Sequence, residues 1–244
     1  MLDDHQAAAE LAEAAGRLLL EVRKSGLEGK ALKDAGDRES HDYLMAELAA
    51  RFPADAVLSE EGKDDLARVG RPRAWIVDPL DGTREFSEPP RDDWAVHVAL
   101  VADGALVAGA VALPARGLTL STASPPPMPP AHAGRPRLLV SRTRPTEHAE
   151  RLAKQLDAEL VPMGSAGAKA MAVVLGDGDI YAHSGGQYEW DSAAPVAVAA
   201  ATGLHTSRLD GAPLVYNQAN PWLPDLLICR PDQAEAVIAI CRDV

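Results

Sequence analysis

The chain has 244 residues, 47% hydrophobic and 25% charged, which is typical of a globular protein with one large domain or two lobes. Its net charge of −12, without a Lys/Arg cluster, argues against binding to nucleic acid or an anionic membrane. No apolar run approaches the roughly 18 residues of a membrane span, and the acidic N-terminus lacks the basic region of a signal peptide. We therefore expect a cytoplasmic protein in which Cys229 and Cys241 are reduced thiols.

The first part of the chain predicts two helices followed by an antiparallel sheet. Asp3 or Asp4 caps an opening helix, and a second helix starts near Asp37, after a loop rich in Gly and Lys. The segments "DAVLSEEG" and "RAWIVD" are typical of strands that end in acidic residues. The segment "WAVHVALVADGALVAGAVALP" has two apolar runs about an Asp-Gly pair, which predicts a β-hairpin.

A proline-rich segment, "TASPPPMPPAHAGRPR", separates the two halves because it cannot sustain a helix or a central strand. We therefore predict an N-terminal α+β lobe over residues 1–124, a boundary loop over 125–137 and a C-terminal α/β lobe over 138–244. The last lobe alternates strands such as "RLLVS" and "DLLICR" with helices. One of these helices starts at Asp191.

Four acidic residues fall at the ends of predicted elements, where folds present functional groups. Glu61, Asp78 and Asp81 follow apolar strands, and Asp191 starts a helix. Carboxylates on rigid elements suit Mg²⁺, and a bound cation would also let an anionic substrate approach so acidic a protein. The sequence therefore predicts a metal site, in which Pro79 stiffens the link between Asp78 and Asp81.

The turn after these acids has the residues of a phosphate-binding loop. Gly82 lets the backbone come close to a phosphate, and successive N–H groups can then hold its oxygens. The hydroxyl of Thr83 can hold a water in line for attack. The seven histidines show no pairing suggestive of a catalytic triad, so a covalent phosphoenzyme is not expected.

Other titratable residues near these motifs have simpler interpretations. Glu60 is expected to be a solvated turn residue, and His97 a packed core or sheet-face residue. Because crowded carboxylates repel one another, replacing Asp81 by Asn is expected to leave the metal-free protein equally stable or more stable.

The motifs "LSEEG", "DPLDGT" and "WDSAAP" resemble, in order and spacing, the three metal-site signatures of the inositol monophosphatase superfamily. The resemblance covers essentially the whole chain. It implies a layered αβαβα sandwich that hydrolyses phosphate monoesters with two or three Mg²⁺ ions, usually with inhibition by lithium. Many members dimerise, so a homodimer is an open expectation.

The resemblance also implies roles for individual residues. Glu61, Asp78 and the backbone carbonyl of Leu80 would hold a first metal. Asp78, Asp81 and Asp191 would hold a second, with Asp78 bridging the two. Gly82 and Thr83 would contact the phosphate, and Asp37 would orient Thr83 and the attacking water, although "DAGD" lacks the threonine that precedes this aspartate in the family.

The segments "DGTREF", "LLVSRTRPTEH" and "MGSAGAK" are similar to the CysQ-type branch of bisphosphate nucleotidases. That similarity implies hydrolysis of the 3′-phosphate of 3′-phosphoadenosine 5′-phosphate (PAP) or its sulfated parent (PAPS). A second phosphate needs a cation besides the metals, and a guanidinium holds phosphate bidentately, which favours Arg142. Further candidates for contacts with the substrate are Arg84, Arg144, Lys169 and Asp191, and "GGQYEWD" offers Tyr188 or Glu189.

Two alternatives remain open at this point. One is the same chemistry on another ester, either an inositol phosphate or fructose 1,6-bisphosphate. The other is a protein of this fold that senses a phosphate or a nucleotide without catalysis.

Overall fold

The structure is a computed structural model that describes residues 3–143 and 145–242. The first half of this part of the chain contains α1 (Asp4–Arg23), α2 (Gly29–Arg51), β1 (Ala56–Ser59), β2 (Arg73–Asp81), the one-turn helix α3 (Thr83–Phe86), β3 (Ala95–Ala102), β4 (Ala105–Leu113) and β5 (Leu118–Ser121). The second half contains β6 (Arg137–Ser141), α4 (Glu147–Leu156), β7 (Glu159–Met163), α5 (Ala166–Leu175), β8 (Ile180–Tyr188), α6 (Glu189–Ala201), β9 (His205–Ser207), β10 (Trp222–Cys229) and α7 (Pro231–Arg242).

These elements stack in five layers, which confirms the αβαβα sandwich. Helices α1 and α2 cover one face of a sheet with the order β1-β2-β3-β4-β5, and α5 and α6 pack on its other face. The same two helices lie against a second sheet, with the order β7-β6-β8-β10-β9, whose outer face is covered by α4 and α7. Both sheets are therefore buried on both faces.

Strand β3 shows how the sequence produces this arrangement. Successive side chains of a strand point to opposite faces. Val96 and Val98 join the core under α1 and α2, whereas Ala95 and Ala99 join the core under α5 and α6. A strand covered on both faces has an almost continuous apolar run, as "WAVHVALVA" does.

Both sheets are mixed, which corrects the expectation of a purely antiparallel first sheet. Strands β1 and β2 are parallel, and the remaining pairs of the first sheet are antiparallel. In the second sheet, β6 is parallel to β7 and β8, whereas β10 is antiparallel to β8 and β9. The β3–β4 hairpin turns at Asp103–Gly104 as predicted, while β5 was not predicted.

The predicted start of the second helix near Asp37 is wrong, because α2 starts at Gly29. Leu32, Leu44 and Leu48 form a buried stripe along α2. The packing of this stripe against the rest of the protein stabilises the helix, and local composition does not reveal such packing. Gly36 is needed inside the helix because a Cβ there would lie 2.7 Å from the Phe86 ring. Asp37 consequently lies within α2 rather than at its end.

The proline-rich segment forms neither helix nor strand over residues 122–136, as predicted. The division into lobes at residues 125–137 stays a prediction, since α5 and α6 form a layer common to both sheets. Within the described residues, the helices include none with the length and apolarity required for a membrane span.

We predict that Gly109→Ala destabilises the sandwich. A Cβ at Gly109 on β4 would lie 2.5 Å from Ala197 Cβ and 3.2 Å from the Ala194 carbonyl on α6. Overpacking of this kind costs about 1–3 kcal/mol, so urea unfolding should show a lower midpoint with an unchanged slope.

Gly134→Ala is the matched control, because a Cβ there would meet only the side chain of His132 in the proline-rich segment. Equal stability of the two variants would contradict the close contact between β4 and α6.

Candidate active site

The end of β2 aims two carboxylates to one side. Asp78 lies opposite His97 of β3, while Asp81 lies opposite Ala95, so β2 contains one extra residue and bulges there. The bulge is held by Ser40, which donates to the Pro79 carbonyl at 2.7 Å, and by the Leu80 N–H, which donates to Asp78 at 3.0 Å.

A third acid completes the cluster from across the sandwich. Asp191 lies in the first turn of α6, and one carboxylate oxygen each of Asp78, Asp81 and Asp191 lie within 4.8 Å of one another. Asp78 and Asp81 are buried and Asp191 is half-buried. This donor set fits a hard divalent cation such as Mg²⁺.

The carboxylates of the cluster repel one another. Burial and the neighbouring Glu60 raise the pKa of Asp78 well above its usual value. Burial and Asp81 raise the pKa of Asp191 to about 6. Burial and Asp191 raise the pKa of Glu60 to about 7. Carboxylates respond in this way when they are crowded and desolvated without a cation.

Asp81 is the exception in this cluster. Burial alone would raise its pKa, but His97, Ser165 and the Gly167 amide together lower that pKa to about 2. Asp81 accepts hydrogen bonds from Ser165 Oγ at 2.5 Å, the Gly167 N–H at 2.6 Å and the Ala166 N–H at 3.2 Å, all at the start of α5. The partial positive charge of a helix N-terminus stabilises such an anion.

His97 connects Asp81 to the backbone next to Asp191. It is fully buried, as a core residue should be, but its Nε2 also lies 3.2 Å from Asp81 and its Nδ1 donates to the Trp190 carbonyl at 2.9 Å. Burial would lower the pKa of His97, whereas the Asp81 carboxylate raises it. There is no room for a side chain at Gly167, because a Cβ there would lie 2.0 Å from His97 Nε2.

The two glutamates after β1 have different positions from those predicted. Glu60 hydrogen-bonds with Asp78, whereas the charge of Glu61 acts on Asp37. The register explains this difference. Ser59 pairs with Val77, so Glu60 comes next to Asp78 in the parallel ladder and Glu61 falls on the opposite side. Glu60 is an exposed residue of the turn after β1, as expected, but it also contacts Asp78, which was not predicted, and Glu60 rather than Glu61 therefore lies against the cluster.

Thr83 and Asp37 form the edge of the site. The Thr83 hydroxyl lies 3.2 Å from both Asp37 Oδ1 and the Leu80 carbonyl. Burial and Glu61 raise the pKa of Asp37 to about 6. Gly82 has φ of +87°, and a Cβ there would lie 3.3 Å from the backbone of Asp93 and Trp94.

The predicted cations have very different surroundings. Arg142 forms ion pairs with Glu85 at 2.7 Å and Glu88 at 3.0 Å, so its guanidinium is already engaged within the protein. Lys169 is buried and donates to the Ser165 carbonyl at 2.5 Å. Arg84 is exposed on α3. Arg144 lies outside the described residues.

A cavity of about 440 Å³ opens beside Asp191. Lys169 lines it, together with Gln187, Tyr188 and Trp222. Glu189 does not line this cavity. It is fully buried and accepts hydrogen bonds from the Asn217 and Gln218 N–H groups at 2.7 and 2.8 Å. Of the two residues that "GGQYEWD" offers to a substrate, Tyr188 is thus the one that borders the cavity.

We predict opposite stability effects for two isosteric substitutions in the metal-free protein. Asp78→Asn should raise the melting temperature at pH 7.5, because the pKa of Asp78 is raised by folding and its ionisation therefore destabilises the fold at this pH. Asp81→Asn should lower the melting temperature, with a loss of about 2 kcal/mol in the free energy of unfolding. The reason is that the folded pKa of about 2 makes the Asp81 anion stabilising above pH 4.

This prediction for Asp81→Asn is the opposite of the expectation drawn from the sequence. Thermal unfolding in EDTA measures both effects, and a shift of the two variants in the same direction would contradict the assignment of the repulsion to Asp78. The difference in stability between the parent and Asp81→Asn should also shrink as the pH falls toward 2, because the parent's Asp81 carboxylate becomes protonated.

Comparison with known proteins agrees with this geometry. The model of the inositol monophosphatase family matches residues 3–243. The 3′-phosphoadenosine 5′-phosphate phosphatase of Mycobacterium leprae (strain TN) is 51% identical over 100% of this chain and 95% of its own. The 3′(2′),5′-bisphosphate nucleotidase CysQ of Escherichia coli (strain K12) is 30% identical over 78% of this chain and 81% of its own. The crystal structure of CysQ from Bacteroides thetaiotaomicron superposes with a TM-score of 0.79 and 27% identity, covering 93% of this chain and 97% of that one. The chain belongs to the inositol monophosphatase family.

Proposed function

We propose that this protein is a Mg²⁺-dependent phosphatase that converts PAP and water into AMP and inorganic phosphate. The observation that carries the proposal is the cluster of Asp78, Asp81 and Asp191 beside a cavity of about 440 Å³. The 51% identity to a PAP phosphatase over the whole chain supports PAP as the substrate. PAPS would be attacked at the same 3′-phosphate.

The residues of the cluster fit the metal. Asp78, Asp81 and Asp191 would hold Mg²⁺ together with the Leu80 carbonyl, and Glu60 takes the position that the sequence predicts for Glu61. Bound Mg²⁺ would offset the charge of the phosphate and of the leaving oxygen. Mg²⁺ and the number of ions, two or three, are parts of the proposal.

The chain's own residues would activate the water at Thr83. The Thr83 hydroxyl lies 3.2 Å from Asp37 Oδ1 and can donate to it while its oxygen accepts a hydrogen bond from the attacking water. As the water attacks phosphorus and the bond from phosphorus to the 3′ oxygen breaks, the water's proton would pass to Thr83 Oγ and the Thr83 proton to Asp37. The leaving 3′ oxygen would take up a proton from solvent. A pKa of about 6 suits Asp37 to this role, because an effective base has a pKa near the working pH.

The surroundings of the site orient the substrate. Gly82 permits close approach of the backbone to the reacting phosphate, and Asp191 joins the cluster to the cavity that receives the rest of the molecule. A cytoplasmic location and a homodimer stay predictions, and they are proposed here only from the properties of the sequence and its family.

A substrate panel tests the function. PAP, PAPS, inositol 1-phosphate and fructose 1,6-bisphosphate are compared at equal concentration with Mg²⁺ and with EDTA. We expect kcat/KM for PAP to exceed that for inositol 1-phosphate by at least ~10-fold, because the cavity contacts the nucleoside. EDTA should abolish turnover, and Mg²⁺ should restore it.

A preference for inositol 1-phosphate or fructose 1,6-bisphosphate would replace PAP as the proposed substrate but keep the proposed chemistry. Binding of PAP without turnover would support the sensing protein, and full turnover in EDTA by metal-free protein would contradict the metal mechanism.

The two neighbouring glutamates provide a matched pair of variants. Glu60→Gln removes a carboxylate that contacts Asp78, so the Mg²⁺ concentration for half-maximal activity should rise at least ~10-fold. Glu61→Gln should leave the Mg²⁺ dependence unchanged. It should shift the acidic limb of the pH–rate profile to lower pH, because Glu61 raises the pKa of Asp37. A large loss of Mg²⁺ affinity in Glu61→Gln alone would restore Glu61 as the ligand.

A further inference from the structure

The cavity beside Asp191 receives whatever part of the substrate is not held at the acid cluster. This step rests on the proposed function, which puts the reacting 3′-phosphate at Asp78, Asp81 and Asp191. The cavity volume of about 440 Å³ lies within the range of small-molecule sites, about 300–1,000 Å³. The adenosine part of PAP therefore extends into it.

Gln187 lines this cavity and is the polar group whose surroundings need an explanation. Its side chain is 7% exposed, and neither its Nε2 nor its Oε1 has a hydrogen-bond partner among residues 3–143 and 145–242. Burying an amide without partners is costly, and nearly all buried polar side chains in proteins find one. An amide with both ends unpaired at a cavity wall is suited to a ligand with a matching donor and acceptor.

Two other polar groups at the wall are already engaged. His183 Nε2 lies 2.9 Å from the Gly186 carbonyl, and Lys169 Nζ donates to the Ser165 carbonyl at 2.5 Å. The backbone of Gln187 is held in place by the ladder, where it pairs with Leu223 of β10. The buried amide atoms of its side chain, in contrast, pair with none of the described residues.

The same wall has flat aromatic surfaces. Tyr188 and Trp222 face each other in the β8–β10 ladder, line the cavity and are each 46% exposed. Tyr188 also stacks on Trp190, with the ring centroids 4.7 Å apart and the planes at 11°. Stacking on such rings suits a nucleobase of any kind, so selection among bases needs a hydrogen-bonding group.

We propose that the Gln187 carboxamide recognises the adenine base of the substrate. Its Oε1 would accept a hydrogen bond from the exocyclic amino group, and its Nε2 would donate to the adjacent ring nitrogen. A glutamine amide matches this donor–acceptor pair of adenine bidentately. Gln187 is therefore a specificity residue, distinct from the groups that act on the phosphate.

The test compares two substrates in Gln187→Met, which keeps the length of the side chain and removes both polar atoms. One substrate is PAP, and the other is an abasic analogue with both phosphates on a tetrahydrofuran ring. We expect kcat/KM for PAP to fall about 10- to 100-fold, mainly through KM, in line with the loss of a bidentate amide–base pair. The value for the abasic analogue should change less than about 2-fold, because no base is present to be recognised.

A stability measurement separates this role from a structural one. Replacing an unpaired buried amide by an apolar side chain should leave the melting temperature unchanged or raise it, whereas loss of a structural hydrogen bond would lower it. Gln233→Met on α7 is the matched control, since Gln233 Oε1 is also buried without a partner among the described residues. This control should leave both substrates unaffected.

Three results would overturn the inference. They are an equal fall for both substrates, an unchanged value for PAP, or a wild-type protein that hydrolyses PAP and the abasic analogue equally well. The last result would leave the phosphatase function intact. A wild-type protein that hydrolyses neither substrate with Mg²⁺ would overturn the proposed function together with the inference.

Discussion

The structure depends on how four carboxylates, two of them buried, are held close together in a protein that already has a net charge of −12. Asp78 is 1% exposed and lies within hydrogen-bonding distance of Glu60, and Asp81 and Asp191 complete the group. Such a group is unfavourable unless some members are protonated or a cation is present. The fold supplies one internal remedy, in which His97 and the N-terminus of α5 keep Asp81 ionised. The remaining repulsion is the driving force for binding a cation.

Holding the acids in place requires contacts between distant segments. Glu189 accepts hydrogen bonds from the N–H groups of Asn217 and Gln218, next to Asp191 in α6. Arg68, which is 2% exposed, donates to the Asn217 side chain and to the Gln218 carbonyl, and it also pairs with Asp64. The loop after Glu60 is thus tied to the segment that supports Asp191. This network joins two sides of the cluster without contributing a ligand.

The motifs predicted much of the site because its residues are close in sequence or lie at element ends. Asp78 and Asp81 lie at the end of β2, and Gly82 and Thr83 follow at the start of α3. Asp191 lies in the first turn of α6, which begins two residues before the predicted start. Glu60 could not be distinguished from Glu61, because only the register of β1 against β2 places Glu60 beside Asp78. The α2 start was also hidden, because the helix is stabilised by packing against residues remote in sequence.

Substrate contacts were less predictable because they depend on which partners a side chain already has. The sequence favours Arg142 for a second phosphate, yet the fold pairs it with Glu85 and Glu88. Glu85 is itself buried against Gly164, where a Cβ would lie 2.4 Å from its carboxyl carbon. Arg142 therefore links the turn of α3 to the segment that leads into α5. The sequence equally could not show that the Gln187 amide has no hydrogen-bond partner among the described residues, since this depends on the pairing of β8 with β10.

Two of the positive charges near the site, those of Lys169 and Arg142, are compensated within the protein. Lys169 lies among Asp81, Asp191, Glu85 and Asp93, and burial lowers its pKa in spite of these acids. Neither Lys169 nor the paired Arg142 therefore offers an uncompensated charge to an anionic substrate. A cation bound at the acid cluster would supply that charge. Because linked equilibria are reciprocal, such a cation would strengthen binding of the phosphate ester by the same factor as the ester would strengthen binding of the cation.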